Sequence, residues 1–260
     1  TKRENCHDDS AWSVFWTSND KLLTGSIDEK VKVWKPVGDD ETKPPTLELS
    51  TLYPDHFLGV ISVSASADGS IGVVSSLDGR LSVWDLVTEK EIRRMQPGSA
   101  DIWSVSCHPE GKLFAAGTQS GHIVVFSTDG SEDKPAARIE VPNGKFVMSI
   151  SYSSDGQVLA SGGSDGSVSL FNAETSTFTR RVDGHAKAVR SMSFSADGNT
   201  LLTASEDTTV LIHDLRQGSG VAGSLSGHDS WVLAVGHSPS RPECVSASSD
   251  KCVRVWDLGE

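Results

Sequence analysis

A chain of 260 residues that is 37% hydrophobic and 22% charged is long enough to bury a sizeable core and has the make-up of a globular protein. Its formal net charge of −12 sets it apart from nucleic-acid binders, which draw affinity from Lys and Arg set against phosphates. Apolar runs stop at four or five residues, far short of the roughly 20 that cross a bilayer, and the first residues, "TKRENCHDD", have no signal-peptide core. Neither direct nucleic-acid contact nor a membrane is expected.

In chain order, the first repeat opens at His7 with "WSVFW", an alternating strand pattern, followed by "LLTGS" and "SIDEKVKVW". After Trp34 comes an acidic, Pro-rich stretch that reads as a solvated loop, then "TLELSTL" as an outer strand. The second repeat runs "VISVSAS", a "SADGS" turn, a strand, and "SLDGRLSVW" into the outer strand "LVTEKEIRRM". "IWSVSCH", "VMSISYS", "VRSMSFS" and "WVLAVGHS" open the later repeats. Asp-Gly turns recur because that pair accepts the positive φ of tight hairpins. The strand-closing residues are Trp34, Trp84, Phe126, Phe171, His213 and Trp256, spaced 42 to 50 residues apart. Six positions before them stand Asp28, Asp78, Ser120, Asp165, Asp207 and Asp250. No segment sustains a 3.6-residue period. The expectation is an all-β chain of one domain over 1–260, with repeats near 7–50, 51–96, 97–141, 142–182, 183–225 and 226–260.

Within the repeats, His7, Ser26, Asp28 and Trp34 return as His56, Ser76, Asp78 and Trp84, and as His228, Ser248, Asp250 and Trp256. Repeat 5 keeps His185, Ser205 and Asp207. Ser, His and Asp in one module invite a hydrolase reading. A set copied several times is instead a structural device that satisfies a buried imidazole with a carboxylate and a hydroxyl. The "GGSDG" run around Ser164 matches a nucleophile-elbow pattern but has no helix after it. Repeats 3 and 4 lack the histidine, with Ser99 and Gly144 or Lys145 near its place, and are expected to open most easily. Cys6, Cys107, Cys244 and Cys252 sit too far apart for a metal or disulfide pattern and read as reduced thiols. No catalytic residue, metal, cofactor or small-molecule substrate is expected.

The third and fifth residues after each histidine place face one way near the start of the first strand. Such residues either pack between blades or, as expected here, form a partner-binding face in which Trp12, Ile61, Trp103, Phe146, Met148, Trp231 and Leu233 supply an apolar patch edged by Asp101, Arg190 and Glu206.

The "VWD" endings at Trp84–Asp85 and Trp256–Asp257 and the "GH" pairs at Gly184–His185 and Gly227–His228 resemble the WD-repeat family. The resemblance implies a β-propeller with four-stranded blades. Six repeats are visible, and a last repeat without an outer strand after Trp256 reads as an incomplete seven-bladed ring. "NGKFVMSISYSSDGQVLASG" and "SGHDSWVL" look like the WD-repeat subunits shared by the superkiller (Ski) complex of RNA decay and the Paf complex of transcription elongation. That likeness implies a non-catalytic adaptor in nucleus and cytoplasm, whose partners are a helical-repeat scaffold subunit and Paf-complex subunits. A peptide or histone-tail reader using the same face is the alternative.

Overall fold

The computed structural model describes residues 6–37, 46–53, 56, 58–97, 101–130, 134–182, 184–216, 220–238 and 240–259. Ser99 and most of the acidic stretch after Trp34 lie outside them. All regular structure among the described residues is strand. In sheet 1 the strands are β1 (Ala11–Trp16), β2 (Leu22–Ser26), β3 (Val31–Val37) and β4 (Thr46–Tyr53). Sheet 2 holds β5 (Val60–Ala65), β6 (Ile71–Ser76), β7 (Leu81–Asp85) and β8 (Lys90–Met95), and sheet 3 holds β9 (Ile102–Cys107), β10 (Leu113–Thr118), β11 (His122–Ser127) and β12 (Ala137–Glu140). β13 (Val147–Tyr152), β14 (Val158–Gly163), β15 (Val168–Asn172) and β16 (Thr177–Val182) form sheet 4. Sheet 5 has β17 (Val189–Phe194), β18 (Thr200–Ser205), β19 (Val210–Asp214) and β20 (Val221–Leu225). Sheet 6 has three strands, β21 (Val232–His237), β22 (Glu243–Ser248) and β23 (Val253–Asp257). Each sheet is a meander in sequence order, the strand plan of a propeller blade.

The chain divides into two compact units, Thr1–Ala115 with Val125–Ala136, and Ala116–Val124 with Ala137–Glu260, and the boundary runs through sheet 3. In the first unit the core between sheets 1 and 2 is built from Leu23, Val33, Val60, Val63, Val74 and Trp84. In the second, Leu170, Val182, Val189 and Leu201 fill the space between sheets 4 and 5, and Leu202, Val210 and Val232 that between sheets 5 and 6. Each such side chain contributes about 2 kcal/mol by leaving water. Sheets approach closely where a side chain is missing: a Cβ on Gly162 would stand 2.7 Å from Val189 Cγ1.

The small residues alternating along the inner strands have a use that the sequence pattern hides. They face the next sheet and accept its amides. Ser13 Oγ takes the Val63 N–H at 3.0 Å, and Ser62 and Ser64 take those of Val105 and Cys107 at 3.2 and 3.0 Å. In the second unit, Ser191 and Ser193 take the Val235 and His237 amides at 3.2 and 3.1 Å. A long cation completes the tie at the strand ends, where Arg93 donates to the Ser127 carbonyl and Arg180 to that of Leu215.

Candidate functional site

The repeated histidines are structural anchors. His7 Nδ1–H donates to Asp28 at 2.9 Å, so its Nε2 accepts from the Thr24 hydroxyl at 2.8 Å. The Thr24 oxygen in turn accepts the Trp34 indole N–H at 2.8 Å. Sheet 6 repeats the chain through Asp250, His228, Ser246 and Trp256, with distances of 2.7, 2.8 and 2.8 Å. Burial works to raise the Asp250 pKa, but the His228 N–H and the Cys252 and Asp229 amides outweigh it and hold the carboxyl well below the usual range. In sheet 5 His213 replaces the indole: Asp207, His185, Thr203 and His213 are joined at 2.8, 2.8 and 3.0 Å.

The hydroxyl in each of these chains is therefore Thr24, Thr203 or Ser246, and the sequence expectation of Ser26, Ser205 and Ser248 is corrected. Those three serines sit two residues on, at the strand end. There they bond the Asp9, Lys187 and Ser230 carbonyls and accept the amides of Asp28, Asp207 and Asp250. In sheet 2 the equivalent hydroxyl is replaced by Val74. His56 Nδ1 meets Ser76 at a long 3.4 Å, Asp78 pairs with Arg80 at 3.2 Å, and the buried Trp84 N–H has no acceptor among the described residues. Ser164 of the "GGSDG" run is exposed in the turn between β14 and β15, with no hydrogen bond to a histidine among the described residues.

The expected binding residues occupy a distinctive place on the backbone. Trp12, Ile61, Met148, Arg190 and Leu233 each sit where the inner strand slips register against its neighbour. Such bulges re-aim a side chain, and they concentrate at functional sites. The bulges do not aim every one outward. Ile61 and Met148 are buried, which removes both from the exposed face expected of them. The remaining residues form two clusters, one in each unit.

In the first unit Trp12, 51% exposed, meets half-buried Trp103 with ring centroids 6.4 Å apart and planes tilted by 53°. Asp101, two residues before Trp103 on the same strand approach, makes no hydrogen bond or ion pair among the described residues. Sequence reasoning missed Leu58 and Leu77. Leu58 is 62% exposed and held at φ 62 by its amide bond to Glu29 Oε1 at 3.1 Å. Leu77 is exposed in the turn whose amide bonds the Gly59 carbonyl. Leu58 thus pairs an exposed apolar side chain with a left-handed backbone that such residues resist. The "SLDG" turn carried a signal for Leu77, because the residue before each Asp stands at the start of the inner strand.

In the second unit Arg190 is already engaged. Its guanidinium bonds Glu206 through Nε at 2.7 Å and lies 5.7 Å from the Trp231 ring centre. Trp231 is 45% exposed, Leu233 is exposed beside it in sequence, and Phe146 is half-buried, its carbonyl taking the Ser164 amide. The Arg190–Glu206 pair thus works as a fixed platform under Trp231 and is not a free charge. Within the described residues no cluster of His, Cys, Asp or Glu could hold a metal and no disulfide forms, and burial pushes the Cys107 thiol up to about 12.

The WD domain, G-beta repeat family matches residues 2–35, 47–85, 90–127, 134–172, 176–214 and 220–257. Among curated proteins, WD repeat-containing protein VIP3 of Arabidopsis thaliana is 35% identical over 198 residues, covering 70% of this chain and 59% of that protein. WD repeat-containing protein SL1-17 of Schistosoma mansoni is 33% identical, covering 71% and 60%. The meiotic recombination protein rec14 of Schizosaccharomyces pombe is 30% identical, covering 70% and 58%. The chain thus spans less than two thirds of the length of these relatives.

Proposed function

The chain belongs to the WD40 repeat family, and from that premise we propose that it is a non-catalytic scaffold that binds segments of partner proteins through one end face of its blades. The observation that carries this reading is the pair of exposed Trp12 and half-buried Trp103, with Asp101, which makes no ion pair among the described residues, two positions before Trp103 in the chain. Exposed tryptophans on a rigid strand are the preferred anchors of protein interfaces. Asp101 selects a cationic residue in the bound segment, and the Arg190–Glu206–Trp231 platform presents a second aromatic anchor. In the fuller proposal the protein is a subunit of a superkiller-type complex of 3′–5′ mRNA decay, of a Paf-type complex of transcription elongation, or of both. It works in cytoplasm and nucleus, with a helical-repeat scaffold subunit and Paf-complex subunits as partners. The sequence likeness to subunits shared by those complexes supports this, and the name of rec14 fits the meiotic role of some fungal members of that group. The unpaired Asp101 also favours a second reading, a reader of basic peptides such as histone tails.

The test is affinity purification of the full-length protein with identification of co-purifying subunits. Trp103→Ala and Trp231→Ala should each weaken capture of a scaffold subunit by roughly 30-fold, as interface anchors do, with the thermal melt nearly unchanged. Capture that survives both substitutions, or a melt that collapses, would sink the site assignment.

A further inference from the structure

Open sheet edges invite foreign strands, and proteins guard them with charge, short length or poor strand formers. Most outer strands here are guarded. β8 carries Lys90, Glu91, Arg93 and Arg94, and β16 carries Arg180 and Arg181. β12 has four residues, two of them charged, and β20 has five around Gly223. β4 is different. It is eight residues long, "TLELSTLY", with Glu48 its one charge. Leu49 and Leu52 are 44% and 43% exposed. Its pairing with β3 continues out to Val37 opposite Thr46, and among the described residues β3 is its only strand partner.

We infer that β4 is a docking edge that accepts an extended segment of a partner protein as a fifth strand, apolar at alternate positions and carrying Lys or Arg opposite Glu48. The outer edge of β4, which pairs with no second strand among the described residues, supplies the ladder, and Leu49 and Leu52 supply apolar contacts across it. Charge decides the occupant. Glu48 makes no ion pair among the described residues, although Lys35 stands across from it on β3. A net charge of −12 on the whole chain sets a cationic strand above a second copy of the protein. This edge is separate from the end face and does not depend on it.

The probe is a short fluorescein-labelled peptide of alternating Val and Thr with a central Lys, titrated against the full chain by anisotropy alongside its Glu-centred counterpart. The Lys peptide should bind about threefold tighter than the Glu peptide, the range of a cross-strand charge pair. Glu48→Lys should invert that preference. Leu49→Lys with Leu52→Lys, which copies the guard on β8, should abolish binding of both peptides. Bound Lys peptide should also slow hydrogen exchange at the amides of β4. No saturable binding, a preference indifferent to Glu48→Lys, or slowed exchange only outside sheet 1 would each overturn the proposal.

Discussion

Sheets 4 and 5 follow one another in the chain and share a strand order, yet they are held together by different means. Sheet 5 is tied by a polar chain through Asp207, His185, Thr203 and His213. Sheet 4 has no histidine, and Phe171 fills the closing position with no exposure at all, packed edge-on to Phe178. Along their inner strands, β13 is almost wholly buried, whereas β17 is half-buried after Val189. The turns differ in the same sense. Sheets 2, 3 and 4 place Gly79, Gly121 and Gly166 at the left-handed position, while sheets 1, 5 and 6, in which an Asp–His bond forms, place Glu29, Thr208 and Lys251 there. The Asp–His bond thus accompanies a non-glycine residue in a conformation that L side chains resist. Where it is absent, glycine removes the strain and apolar packing supplies the stability.

That contrast predicts an order of opening opposite to the one expected from the missing histidines. With its inner strand buried, sheet 4 should outlast sheet 5 in hydrogen exchange. Phe171→Ala should cost about 4 kcal/mol, the usual figure for emptying an aromatic site in a core. This exceeds the effect of deleting one bond of the sheet 5 chain, since single hydrogen bonds contribute about 1 kcal/mol. Urea denaturation ranking the two the other way would break the comparison.

A smaller effect tests the polar side of it. His213 is buried, its Nε2–H is given to Thr203, and its Nδ1 has no partner among the described residues, so burial lowers its pKa from the usual 6.5 to about 4. The unfolded chain binds a proton below about pH 6.5, and the folded chain does so only near pH 4. Stability is therefore full above pH 6.5 and falls as pH drops towards 4, by up to about 3 kcal/mol. His213→Phe, the residue type found in sheets 3 and 4, should flatten that part of the curve. An unchanged slope between pH 6.5 and 4 would show that the imidazole is not what makes sheet 5 acid-sensitive.

What could be read from the sequence follows the same division. The closing aromatics and the Asp six positions before them recur at one spacing, so the six repeats and the Asp–His bonds of sheets 1, 5 and 6 were visible in advance, whereas in sheet 2 Asp78 pairs with Arg80 instead. The bridging hydroxyl was not, because it varies: Thr24, Val74, Ala116, Ser161, Thr203 and Ser246 hold that place. The invariant-looking serine two residues on drew attention, although it lies at the strand end and serves the turn. The end face was half legible. Alternation placed Trp12 and Arg190 on one side with Ile61 and Met148, but all four sit at bulges, and a bulge lets each side chain swing independently. Leu58 escaped notice because its exposure depends on Glu29, a residue of the preceding repeat.

Sheet 2 stands between the two kinds and offers the finest test. It keeps His56, Ser76, Asp78 and Trp84, yet Val74 stands where Thr24 stands in sheet 1, and the Trp84 N–H is buried without an acceptor. Its stability comes from packing: Tyr53 stacks on Trp84 with centroids 4.0 Å apart, and burial pushes the Tyr53 hydroxyl up to about 12. Val74 opposes Ser82 as Thr24 opposes Lys32, so a threonine at 74 would place its oxygen beside the indole. Val and Thr have nearly the same shape, so the exchange weighs a new hydrogen bond against the burial of one hydroxyl. Because the indole is already unsatisfied, the bond should win. Val74→Thr should raise stability by about 1 kcal/mol in urea denaturation. The Val74→Thr, Trp84→Phe double variant should lose that gain relative to Trp84→Phe alone, since the hydroxyl then has no indole to serve. A destabilised Val74→Thr would mean that sheet 2 has committed to packing so fully that the polar chain can no longer be restored one residue at a time.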